Sequence, residues 1–293
     1  MRQAEEAMLL LCCPLGEEIQ PLTVSQWRGL QQRISGYVPE DPSKELTAKY
    51  LQDLGYSRET GERIVNLLSR QTQLHRYLQI ASEQGIQVLT RISEGFPSKL
   101  RKLGEHCPPA LFCKGDMTLF HKPCVSLVGS RQIGRRNLDF AKHIGRLAAK
   151  EGYVLVSGGA AGADRAAQEA CLAAGGKVIC IVPDALQEHP ERDGVLYCCE
   201  EGFELPFTSV RALRRNHLIH ALGEKTFVAQ TACGKGGTWA GTRDNLRREL
   251  SPVYVFDDGS EGAAELVALG ACPVGQRPES LHDLTPMQLS IFD

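Results

Sequence analysis

The sequence predicts an α/β protein, a doubly wound and mostly parallel sheet with a small helical domain at its N-terminus. Three observations carry this. From Val125 to about Asp258, apolar runs of strand length alternate with helical stretches. Almost every one of those strands ends in a glycine-rich or charged turn that opens a helix. The first eighty or so residues, in contrast, show only the helical period. The expected limits are 1–84 for the helical domain, 85–275 for the sheet-bearing domain and 276–293 for a C-terminal tail. The 293 residues suffice for a core of ordinary size plus a second small domain.

In the helical domain, Thr23 to Gln26 has capping-box spacing, and Trp27, Leu30 and Ile34 follow on one face. Tyr50, Leu51 and Leu54 end at Gly55; Ile64, Leu67 and Leu68 start a stripe that resumes at Leu74, Tyr77 and Leu78. The segment Asp53 to Ser57 has no Gly-x-Gly hairpin, so these helices read as a packing or partner-docking module and not as a helix-hairpin-helix DNA binder. From Ile86 the pattern changes. Ile86 to Leu89, Phe96-Pro97 and Ala110 to Gly115 lead into a sheet, whose strands are expected at 125–128, 153–156, 177–182, 195–199, 225–229 and 252–256. Right-handed crossovers then place ligands beyond the carboxyl ends of the strands.

Those ends carry the chemistry. Gly129, Ser130 and Arg131 follow the first strand of the alternation and precede a helix start, where backbone N–H groups suit an anion and the planar guanidinium suits a phosphate. Ser157, Gly158, Gly159 and Gly162 surround the next junction and let backbone approach a ligand closely, without the Gly-x-Gly-x-x-Gly spacing of a dinucleotide site. Asp164 in that turn is expected to cap the following helix. Gly234, Lys235, Gly236, Gly237 and Thr238 place a lysine among glycines at a third helix start, a ready anion nest that lacks the order of a triphosphatase loop. Between the last two lies Arg211 to His217, read as a helix with Leu213, His217 or Leu218, and Leu222 toward the sheet and Arg211, Arg214 and Arg215 toward solvent. So many separated cations fit several phosphates in a row. Few aromatics stand near the rim, and Trp239 is the best candidate among them for base stacking, though burial behind the loop is the commoner fate of a lone Trp.

A net charge of -2 means that any polyanion must be met by a local patch and not by the field of the whole molecule. The eleven cysteines show no paired Cys-x-x-Cys spacing and sit in apolar runs, so no metal is expected and they read as reduced thiols. Met8 to Cys13 is too short for a signal or a membrane span, and a cytoplasmic protein is expected.

Phe96-Pro97, Leu111 to Gly115, Val128 to Arg131, Ser157 to Asp164 and Arg214 to Ile219 stand in the order and spacing of the DprA/Smf DNA-processing family, which the chain resembles from about residue 50 to 258. The resemblance implies a Rossmann-like fold, binding of single-stranded DNA without strong sequence preference, loading of the RecA recombinase in natural transformation, and a homodimer. It places Gly129, Ser130, Arg131, Ser157, Gly158, Gly162, Arg214, Arg215 and Asn216 in the DNA groove, with no catalytic role and no cofactor. The chain departs from the family at Ala163 and around Lys235, and after Pro273 it is expected to lack the winged-helix domain of many members, as a divergent paralogue would.

At the C-terminus Gln288, Leu289, Ile291 and Phe292 are similar to the short peptide that docks on the bacterial sliding clamp. The alternative is a terminal segment folded back on its own domain. The competing functional class is a nucleotide sensor or phosphoribohydrolase on the same fold. Such hydrolases follow Gly-Gly-x-Gly-Thr with a glutamate, and here Asn245 stands where that glutamate would be.

Overall fold

The computed structural model describes residues 1–34 and 46–285. The chain forms two compact units, one of Met1–Phe96, Gly104–Phe112 and Glu200–Glu204, the other of Pro97–Leu103, Cys113–Cys199 and the residues from Leu205 onward.

The first unit holds α1 (Gln3–Cys12), α2 (Val24–Ile34), α3 (Ala48–Asp53), α4 (Arg58–Leu68), α5 (Gln71–Glu83) and strand β1 (Ile86–Thr90). The capping box at Thr23 is present in both directions: Thr23 N donates to Gln26 Oε1 at 3.0 Å and Gln26 N to Thr23 Oγ1 at 3.2 Å. Trp27 and Leu30 then enter a core with Met8, Leu11, Leu51, Ile64 and Leu67, where each fully buried side chain contributes about 1.5–3 kcal/mol. Gly55 ends the α3 stripe at φ +86°, a left-handed conformation that a side chain would strain. The apolar run at Met8 to Cys13 is the most deeply buried helix of this unit. Arg70, between α4 and α5, closes the C-terminal end of that helix by donating to the carbonyls of Leu10, Cys13 and Pro14. Ser69 and Arg70 separate α4 from α5, so the stripe that breaks at Leu68 resumes at Leu74 in the next helix.

The chain then passes through α6 (Ser98–Arg101) and β2 (Ala110–Lys114) into the second unit. There it runs β3 (Cys124–Val128), α7 (Arg135–Lys150), β4 (Val154–Ser157), α8 (Ala163–Ala173), β5 (Lys177–Ile181), β6 (Val195–Cys199), α9 (Ser209–Arg214), α10 (Asn216–Leu222), β7 (Thr226–Val228), α11 (Gly236–Arg248), β8 (Val253–Phe256), α12 (Glu261–Ala268) and β9 (Cys272–Val274). These strands lie in the order β6-β5-β4-β3-β7-β8-β9, and every neighbouring pair is parallel. The six strands read from the alternation are all present. A seventh, β9, was not legible, because three residues around Pro273 make too short a run.

The order reverses between β3 and β7, so the chain winds outward from the centre in both directions. Strand alternation then sorts the helices. Ser126 of β3 donates its hydroxyl to Ile219 O of α10 at 2.5 Å, and Thr226 of β7 meets Asn245 of α11 on that same face. On the opposite face Phe256 of β8 stacks on Phe140 of α7 at 4.9 Å. Helices on both faces and a strand-order reversal at the centre make this the doubly wound, Rossmann-like arrangement. All eleven cysteines are free thiols; Cys171 and Cys180 are pushed up to about 11 by burial, which keeps them protonated. Among the described residues no helix is long and apolar enough to cross a membrane.

Candidate nucleic-acid interface

A cleft of about 740 Å³ opens beyond the carboxyl ends of β3 and β7, at the reversal of strand order. It brings together Gly129, Ser130, Arg131, Arg215, Asn216, Lys235, Gly236, Gly237 and Thr238 from two strand-end turns and the junction of α9 and α10.

The first turn is set by backbone. Ser130 donates both its N–H (3.0 Å) and its hydroxyl (3.2 Å) to Gln230 O at the end of β7, and Gln230 Oε1 accepts from Gly134 N at 2.9 Å. Ser130 is thereby committed to positioning the turn. A Cβ on Gly129 would stand 2.4 Å from that of Ala163, so only glycine lets α8 begin this close to β3. The result presents Arg131, exposed, with its guanidinium 5.7 Å over the ring of Phe207.

The second turn supports the cleft from behind. Ser157 and Gly158 are buried; of this turn only Ala160 and Asp164 line the cleft, while Ser157, Gly158, Gly159 and Gly162 do not. Gly162, at φ +86°, is pressed against the Ser130 and Arg131 carbonyls, which a Cβ would approach to 2.4 Å. Asp164 is not the cap of α8; Gly162 holds that position, and the Asp164 carboxylate accepts from Gly158 N at 3.1 Å within the turn.

The third turn begins α11. Lys235 occupies its cap position with extended backbone and no capping side chain, and the first turn of α11 carries no acidic residue. The N–H groups at that helix start keep their partial positive charge facing the cleft. Asn216 braces the loop by donating to Gly237 O at 3.1 Å.

The basic segment departs from the sequence expectation. It is two helices, α9 and α10, that break at Arg215. Leu213 is 50% exposed and Arg215 only 6% exposed, the reverse of the expected assignment. Arg211 is half-buried and donates to the carbonyls of Leu205 (2.6 Å) and Pro206 (2.7 Å), while Arg214 is exposed. The reason is a buried counter-charge. Arg215 Nη2 donates to Gly158 O at 3.1 Å beside Asp164, and the guanidinium fits there because Gly158 has no Cβ, which would lie 1.6 Å from Arg215 Nη1. Burial pushes the Asp164 carboxyl up to about 6 against the opposing pull of Arg215, and burial also draws Arg215 down. Both partners therefore lose more in hydration than they regain from each other. Arg215 Nε and Nη1 are buried without an acceptor, and the residue lines the cleft. Arginine stays charged, so this guanidinium keeps a buried positive charge in the wall of the cleft, which favours an anion there.

Sequence reasoning missed Phe207, whose ring is exposed beside Arg131; its only signal was an aromatic in the Pro206-Phe207 approach. Trp239 lines the cleft but is 7% exposed. Asn245 is fully buried: its Oδ1 accepts from Ser251 N at 2.9 Å, and its Nδ2 lies 3.0 Å from His220 Nδ1. That position holds the packing of α11 and presents no carboxylate to the cleft. Gln288, Leu289, Ile291 and Phe292 lie outside the described residues.

The family model described as DNA recombination-mediator protein A matches residues 87–285. Over 96% of both chains the sequence is 25% identical to the DNA processing protein DprA of Bacillus subtilis. It is 28% identical to the protein Smf of Escherichia coli over 66% of this chain, spanning 55% of that relative. Among solved structures, DNA processing protein A of Streptococcus pneumoniae superposes with a TM-score of 0.59 at 23% identity, covering 86% of this chain and 95% of that one. DNA processing protein A of Helicobacter pylori, described for its single-stranded DNA binding mode, gives a TM-score of 0.55 at 27% identity, covering 65% and 90%.

Proposed function

This chain belongs to the DNA recombination-mediator protein A family, and from that premise we propose that it binds single-stranded DNA in the cleft beyond β3 and β7 as a non-catalytic mediator of recombination. The observation that carries this reading is the gathering of Arg131, the buried Arg215, Lys235 and the start of α11 around one cleft. Phosphate oxygens meet the exposed Arg131 and Lys235 and the N–H groups at the start of α11, with the charge of Arg215 behind them. The backbone is read and the sequence is not, because charge and helix-end contacts go to phosphate. Phe207, beside Arg131, offers a ring face to a base. The same proposal includes RecA recombinase as the protein that receives the strand, a homodimer as the working form, and the cytoplasm as its place of action. Docking of Gln288, Leu289, Ile291 and Phe292 on the sliding clamp completes it. The phosphoribohydrolase alternative loses support where Asn245 is engaged in internal packing.

The test is fluorescence anisotropy of a labelled single strand over a salt series, with wild type and Arg131→Ala/Lys235→Ala. Wild-type affinity falls with salt, and the variant lowers the slope of log affinity against log salt by roughly 1.4, about 0.7 for each phosphate no longer neutralised. A wild-type protein that binds no strand at low salt overturns the reading.

A further inference from the structure

The opposite flank of the second turn opens a second groove that the cleft leaves unused. It lies between α7 and α8, has a volume of about 700 Å³, and begins at Ala161 and Gly162, the residues next to the cleft-lining Ala160. Its shape follows from sequence. Gly145 of α7 crosses α8 where a Cβ would come within 2.2 Å of Ala167 O, so the two helices approach very closely. Alanines of α8 leave the surface above this crossing shallow.

The groove is lined by cations. Lys142 and Arg146 stand one turn apart on α7, about 6 Å along the axis, and Arg165 faces them from the first turn of α8. Among the described residues none of the three makes a direct ion pair; the one acidic residue of the groove, Glu169, is held by Arg192 at 2.7 Å and meets the charge of Arg165 only at longer range. Three cations against one carboxylate that Arg192 already holds make this groove a local positive patch in a chain of net charge -2. Continuity supplies the second argument. Gly162 is pressed against the carbonyls of Ser130 and Arg131, so the groove starts at the backbone that presents Arg131 to the cleft.

We propose that the α7/α8 groove is a second phosphate track, along which a single strand leaving the cleft past Arg131 continues over Arg165, Lys142 and Arg146. This rests on the reading of the cleft as a single-strand site. A row of cations spaced by helical turns matches the repeating charge of a nucleic-acid backbone, and the small-residue floor admits a strand lying flat. The track predicts a site longer than the cleft alone.

The experiment compares two labelled oligothymidylates over a salt series, one of roughly 6 nucleotides to fill the cleft and one of roughly 20 to reach the groove. In wild type the longer strand shows the steeper salt slope. In Lys142→Ala/Arg146→Ala/Arg165→Ala that slope falls by roughly 2, at about 0.7 per neutralised phosphate, while binding of the short strand is unchanged. A charge-matched control, Lys150→Ala/Arg247→Ala/Arg248→Ala, leaves both slopes as they are. Circular dichroism confirms that each variant is folded. The groove proposal alone is overturned if the triple variant keeps the wild-type slope on the long strand, which would assign these cations to another partner, or if the control lowers it equally. Failure of wild type to bind either strand overturns the cleft reading and the groove with it.

Discussion

Replacing Arg215 by methionine separates the two jobs that its burial combines. Arg215 is 6% exposed, donates to Gly158 O and is the cation beside the Asp164 carboxylate. Methionine keeps an unbranched apolar stem but leaves Asp164 charged, buried and without its partner. Breaking a buried pair from one side costs about 3–5 kcal/mol. With a urea dependence near ~2 kcal/mol per M, the unfolding midpoint of the larger unit moves down by about 1.5–2.5 M at pH 8. The sign of the pH dependence follows from the carboxylate. Its folded value of about 6 lies above the unfolded value, so its contribution to stability is full below the unfolded value and is lost as pH rises through about 6. Without Arg215 to oppose burial that value climbs further, and the deficit of the variant shrinks as pH falls. Adding Asp164→Asn removes the buried charge, so Arg215→Met/Asp164→Asn recovers most of the stability at pH 8 and still binds single strands poorly. Urea denaturation followed by tryptophan fluorescence, with anisotropy on the same samples, reads both effects. A single variant as stable as wild type at pH 8, or a double variant that regains strand binding along with stability, refutes the reasoning.

Strand binding by wild type tightens on the order of threefold to tenfold from pH 7.5 to 5.5, because protonation of Asp164 leaves the charge of Arg215 unopposed. Asp164→Asn abolishes this step, and His220 does not contribute, since burial holds it near 4. Gly158→Ala drives a methyl group to 1.6 Å from Arg215 Nη1 and expels the guanidinium, and is expected to cost about 3 kcal/mol by urea denaturation and to weaken strand binding together; a loss under about 1 kcal/mol would contradict the seat described for Arg215. Phe207→Ala weakens single-strand binding by about 1 kcal/mol without moving the melting temperature, because the ring is half-exposed and its contribution is stacking on a base. Equal affinity of this variant and wild type in a titration of labelled strand would remove Phe207 from the site.

Legibility from sequence tracked how local the cause was. Thr23 and Gln26 announce their helix start because the capping box lies within four residues. The strands from β3 to β8 were readable because a strand buried on both faces must be a continuous apolar run. The glycines at 129 and 162 were recognisable as turn residues, but what each one clears space for, Ala163 and the Arg131 carbonyl, sits on a different element. Helical periodicity sent Leu213 inward and Arg215 outward, and both were reversed, since periodicity carries no information about a carboxylate fifty residues earlier. Asp164 was read as a local cap for the same reason.

The sequence by itself determined the alternation of strand and helix, the three strand-end turns and the resemblance to the DNA-processing family, because these depend on neighbours along the chain. Only the tertiary structure decided which of those turns meet in one cleft, that Arg215 and not Leu213 faces inward, and that Lys142, Arg146 and Arg165 share a groove. Those outcomes depend on strand order, helix crossing and the cost of burying charge, which are set across space by residues far apart in the chain.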